Sequence, residues 1–119
     1  MQYIISGKVI KGDGYGKKIG FPTLNIDRRN FLELEKKPVL GVYTGQVFLN
    51  KKKYKAGIVI GPLDKNKLPK IEAHLIRYKG NAYGKRAILE INKFIRKFKK
   101  FKKEKKLINQ IKKDIERCQ

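Results

Sequence analysis

Residues 12–25, GDGYGKKIGFPTLN, set glycine at every second position and then finish on a proline, a threonine and an asparagine. Alternating glycines let backbone N–H groups approach an anion with no Cβ in the way. Lys11, Lys17 and Lys18 bracket the stretch with positive charge. Pro22 stiffens the exit, and the Thr23 hydroxyl can ligate a hard cation such as Mg²⁺. Asn25 lies two residues further on, so in an extended segment it faces the same side as Thr23. This is the chemistry of phosphate handling, although the two familiar phosphate patterns fail. The P-loop needs Ser or Thr after its Gly-Lys, and here Ile19 follows the lysines; the dinucleotide fingerprint needs glycine where this chain has Lys17. Taken alone, the stretch also reads as a Gly-rich hairpin loop.

A second chemical candidate is Glu72, a carboxylate in the otherwise apolar IEAHLI (71–76). Partial burial there would raise its proton affinity and make it a stronger base. The plainer alternative is an outward-facing strand glutamate. His74 shares its strand face and is read as a structural or supporting residue. One His and one Cys cannot build a zinc site.

The elements that must position these groups follow from periodicity. Residues 3–10, 42–49, 54–60, 70–77 and 86–95 are rich in β-branched and aromatic residues and read as strands. A hairpin is expected over 47–57 with its polar turn near Asn50 to Lys53, and 62–70 reads as a polar loop punctuated by two prolines. Leu107, Ile111 and Ile115, with Ile108 alongside, predict a terminal amphipathic helix. Short antiparallel strands closed by one helix point to a small β-barrel, which removes exposed edges.

The chain of 119 residues is expected to form one domain, 1–119, without linker or internal repeat. Its start lacks a signal-peptide pattern, no apolar run reaches a membrane span, and the single Cys118 excludes an internal disulfide, so a cytoplasmic protein is expected; a monomer is expected as well. The net charge of +21 raises a polyanion reading, yet only six of the 31 basic residues are arginine, and solvated lysines account for most of the excess.

GxGxGxxxGFPTxN followed by a G-V-Y strand resembles the riboflavin kinase family, which in many bacteria forms the C-terminal half of a bifunctional FAD synthetase. PVLGVYTGQV (38–47), YKAGIVIG (54–61), IEAHLI (71–76), AYGKR (82–86) and FIRKFKKF (94–101) leading into LINQIKKD (107–114) extend the similarity nearly end to end. The resemblance implies a six-stranded antiparallel Greek-key β-barrel with a C-terminal α-helix, here as a stand-alone domain. It implies transfer of the ATP γ-phosphoryl group to the 5′-hydroxyl of riboflavin, with Mg²⁺, to give FMN and ADP. Lys11, Gly12, Gly14, Gly16, Lys17, Thr23 and Asn25 fall at nucleotide-binding positions, and Thr23 and Asn25 also at the metal. Glu72 falls on the catalytic base, and Ile95 and Arg96 on the substrate side. Leu63, Arg77, Asn81 and Phe98 depart from the family pattern toward the flavin side and the loops. The competing class is a basic RNA- or anionic-surface-binding protein, because KFIRKFKKFKKEKK (93–106) interleaves Phe94, Phe98 and Phe101 with lysines. If that stretch is helical, its rings share one face, and packing of the rings onto the barrel with solvated lysines is the favoured reading.

Overall fold

Strand β1 (Tyr3–Ile10) buries Ile5, Gly7 and Val9 and turns the residues between them outward, the period of two that places one face of a sheet on a core. The computed structural model describes residues 3–12, 14–80 and 82–119, with Tyr15 given by its backbone. The same alternation recurs in β3 (Gly41–Leu49), β4 (Lys52–Leu63), β5 (Pro69–Leu75) and β6 (Arg86–Arg96). With the three-residue β2 (Leu24–Ile26), they close into an antiparallel barrel in the order β1-β2-β5-β4-β3-β6. Strands β3, β4 and β5 are consecutive neighbours, and β6 returns beside β3, which is the Greek-key arrangement. Ile5, Val47, Ile58, Ile60, Leu89 and Ile91 are at most 1% exposed and fill the interior.

Local chemistry explains the connections. Asn50 and Lys51 both adopt positive φ (53° and 64°) between β3 and β4, the geometry of a two-residue hairpin turn whose twist matches the strands it joins. Between β4 and β5 the Asp64 carboxylate accepts the N–H groups of Asn66 (2.8 Å) and Leu68 (3.1 Å). Those backbone bonds, with the Arg28 guanidinium, hold its carboxyl below the usual range. Pro69 opens β5, where a missing N–H costs the ladder least.

Two expectations need correction. The glycine stretch is not an open hairpin loop: Tyr15–Lys18 winds one helical turn, α1, with Lys18 N–H donating to Gly14 O (3.2 Å) and Phe21 N–H to Gly16 O (2.7 Å). Nor do Phe94, Phe98 and Phe101 share a helix. β6 stays paired with β3 through Arg96, residues 97–103 are irregular, and α2 begins only at Glu104 (Glu104–Cys118). Phe94 packs edge-on to Tyr43 at 5.3 Å, while like charges through 97–103 disfavour a helix there. Leu107, Ile111 and Ile115 do lie in α2, which packs on β3 and β4. No described helix is long and apolar enough to cross a membrane.

The last turn of α2 settles over Gly57, where a side chain would meet Cys118 Sγ at 3.4 Å. Burial, with the nearby Asp114 charge, pushes the Cys118 thiol up to about 11 from an ordinary 9.0, against a smaller opposing effect of Arg117. Only the thiolate alkylates, so at pH 8 iodoacetamide should modify native Cys118 about 100-fold more slowly than the denatured chain. Equal rates, read by mass spectrometry, would mean that this turn is not seated.

Candidate active site

Two cavities lie on either side of the seam between the glycine stretch and β5. The first, about 330 Å³, is lined on one wall by Gly12, Gly14, Gly16, Lys17, Thr23 and Asn25. Its other wall comes from the β5–β6 connection, with Tyr78, Lys79, Gly80 and Tyr83. The second, about 310 Å³, is held between the barrel and α2. The sheet gives it Val42, Val59, Glu72, His74 and Arg96, and the helix gives it Leu107, Ile111 and Ile115. Gly16 and Thr23 border both cavities.

Register explains the placement. Asn25 stands opposite Glu72, Glu72 opposite Val59, Val59 opposite Val42, and Val42 opposite Arg96. One row of side chains on the outer face of the barrel thus runs from the first cavity across the second. A β-bulge is needed to finish it. The β3–β6 register shifts between Val42 and Tyr43, leaving Ile95 as the extra residue and turning Arg96 onto the outer face.

Glycine is required where backbone and side chain meet. A methyl group on Gly12 would overlap the Asn25 amide, and one on Gly16 would sit 2.5 Å from the Phe21 carbonyl oxygen. The stretch therefore packs directly on the residues it presents. His74 Nδ1 lies 2.7 Å from the Pro22 carbonyl oxygen, and its ring meets Phe21 edge-on at 6.1 Å.

Arg96 is committed to the helix. Its Nε–H donates to both Asp114 carboxylate oxygens (3.2 Å each) and its Nη2 to Oδ2 (2.8 Å), while Gln110 donates to Oδ1 (2.9 Å). Asp114 is the buried charged residue of α2, and the Phe101 ring lies 6.0 Å from the Arg96 guanidinium carbon. This bidentate pair pins α2 across the second cavity.

Of the residues singled out in the sequence, Gly12, Gly14, Gly16, Lys17, Thr23 and Asn25 meet in one cavity, and Glu72 and Arg96 in the other. Lys11 and Ile95 line neither. Among the departures, Phe98 lines the second cavity, Leu63 and Arg77 line neither, and Asn81 lies outside the described residues. Tyr78, Lys79 and Gly80 were missed: they lie in a connection without periodicity, and only the AYGKR block hinted at that wall.

No group of three or more His, Cys, Asp or Glu suited to a metal occurs among the described residues. Thr23 and Asn25 both line the first cavity beside a glycine cradle, and their neutral side-chain oxygens would suit a cation that arrives with phosphates and keeps much of its water, as Mg²⁺ does.

A closed barrel with a glycine-lined cavity and a second, more apolar cavity that share Gly16 and Thr23 forms a domain with two adjoining ligand-sized sites. The family model described as "Flavokinase: Riboflavin kinase" matches residues 1–119. The bifunctional riboflavin kinase/FMN adenylyltransferase of Bacillus subtilis is 37% identical over 117 residues, covering 94% of this chain and 36% of that protein. The chain thus spans just over a third of the length of the curated relatives it matches. Among solved structures, a protein from Streptococcus pneumoniae titled a macrolide-efflux protein superposes with a TM-score of 0.83 at 26% identity, over 97% of this chain and 38% of that one. The riboflavin kinase of Trypanosoma brucei shares the fold, with a TM-score of 0.67 at 23% identity, over 97% of this chain and 76% of that one. The chain belongs to the riboflavin kinase family.

Asp114→Asn should leave the Arg96 guanidinium without its counter-charge at the edge of the core. Unfolding by urea should show a loss of about 2–4 kcal/mol, as when one partner of a largely buried pair is removed. A loss under about 0.5 kcal/mol would class the pair with exposed ones.

Proposed function

We propose that the chain transfers the γ-phosphoryl group of ATP to the 5′-hydroxyl of riboflavin, giving FMN and ADP. One observation supports this above the others: Thr23 borders both cavities, and Asn25 of the first stands directly across the β2–β5 ladder from Glu72 of the second. Opposed side chains in such a ladder have Cβ atoms about 5 Å apart. A phosphate in the first cavity and a hydroxyl in the second would meet at that seam.

In this reading the triphosphate lies along the glycine stretch, where backbone N–H groups and Lys17 offset its charge. Thr23 and Asn25 would hold Mg²⁺ with the nucleotide, and the cation would supply further neutralisation of the transferring phosphoryl group. The flavin ring occupies the second cavity between Val42, Val59 and the apolar face of α2, and Phe98 is exposed enough at its rim to reach it. Glu72 accepts the hydroxyl proton as the 5′-oxygen bonds to the γ-phosphorus and the bond to the ADP oxygen breaks. Phosphoryl transfer asks mainly for position and charge neutralisation, which these residues supply.

Purified protein with riboflavin, ATP and Mg²⁺ should produce FMN, detected by fluorescence after chromatographic separation, and EDTA should stop it. Absence of FMN with any nucleoside triphosphate and divalent cation would overturn the proposal. Glu72→Gln should fold normally and lower turnover by about 10²–10⁴-fold, the usual worth of a positioned general base. Turnover close to wild type would remove Glu72 from proton transfer. Thr23→Val keeps the β-branched shape but deletes the hydroxyl, so activity should fall with little rescue by riboflavin. Full rescue by riboflavin alone would place Thr23 in the flavin site.

A further inference from the structure

Strands β2 and β5 are held by two register pairs, Leu24 with Ala73 and Asn25 with Glu72. Continued by one residue, that register would set Thr23 opposite His74, but the strand pairing begins only at Leu24. At this point a side chain replaces the backbone: the His74 imidazole bonds the Pro22 carbonyl oxygen at 2.7 Å. A carbonyl can only accept, so Nδ1 carries the proton and donates it. Pro22 has no N–H of its own, so its carbonyl is the one backbone hydrogen-bonding group it offers β5.

His74 lines the second cavity, whereas Thr23, bonded to that same Pro22 carbonyl carbon through its backbone nitrogen, borders both. We infer that His74 is a positioning residue for Thr23: from the flavin-side wall it fixes the backbone that presents the Thr23 hydroxyl to the nucleotide. The assignment rests on the proposed nucleotide role of Thr23. Its signature is a crossed one, since a residue lining one cavity governs affinity in the other.

The test separates donor from ring. His74→Phe keeps an aromatic ring beside Phe21 and removes the donor. His74→Asn removes the ring and sets an amide N–H near the former Nδ1. Loss of one hydrogen bond of ordinary worth should raise the KM for MgATP by about 10-fold in His74→Phe. Its KM for riboflavin should stay within about twofold, and His74→Asn should recover nucleotide affinity to within about threefold of wild type. Calorimetric titration with MgADP should follow the same order, and it reads nucleotide binding whether or not FMN is made. Failure of the wild type to make FMN would sink the kinase reading by itself, while the MgADP series would still judge His74. If His74→Phe does not fold, His74→Gln, whose amide reaches the Nε2 position instead, takes its place with the same expected loss. Equal nucleotide affinity in the donor-less variant and wild type, equal loss in the donor-less variant and His74→Asn, or a change confined to riboflavin would each overturn the inference.

Discussion

Leu24, Asn25 and Ile26 supply the pairing that joins β1 to β5, and without those few rungs the sheet would be open, with two bare edges. Leu24 and Ile26 point into the core at 6% and 1% exposure, which leaves Asn25 on the outer face opposite Glu72. Alternation makes this placement compulsory: a slip of one residue would bury the amide and expose the two apolar side chains. Closure of the barrel and the meeting of the two cavities are therefore one constraint. Gly12 on the N-terminal side serves the same seam, because a side chain there would displace the Asn25 amide.

The second cavity depends on a different interaction. Its floor is sheet and its roof is α2, joined through Arg96 and Asp114. A chain with far more lysine than arginine places an arginine at this pair. The planar guanidinium meets both carboxylate oxygens at once and still lies near the Phe101 ring, which a lysine could not do. The bulge at Ile95 makes this possible by aiming the side chain outward at the end of β6. The lysines around it are exposed through 97–106.

How much of this was legible in the sequence depended on element length. The long strands announced themselves by alternation, and β1 was expected over 3–10 and runs Tyr3–Ile10. The stripe of Leu107, Ile111 and Ile115 likewise announced α2. Three residues of β2 carry too little alternation to stand out, so composition alone suggested five strands, and the sixth came only with the family resemblance. The turn at Tyr15–Lys18 was hidden because glycines disfavour a helix that neighbouring backbone bonds nonetheless close. Phe94, Phe98 and Phe101 showed helical spacing by coincidence, since a ladder with β3 decides the conformation of Phe94. The residue types gathered around the two cavities were visible in advance, but the wall from Tyr78 to Gly80 was not, because connections carry no period. Nor could spacing show that Arg96 is engaged by Asp114, a partner set by the packing of α2.

The ladder between β1 and β6 has a kinetic consequence. It pairs Tyr3 with Ile91 and Lys8 with Arg86, so the whole stretch from β1 to β6 must be gathered before the barrel can close. Topologies dominated by such distant pairings have high contact order and fold on the order of milliseconds to seconds, because loop closure precedes the contacts that reward it. A nascent chain still lacking β6 has β1 and β3 edges with nothing to pair against, and α2, whose anchor Arg96 ends β6, can dock only after that strand is in place.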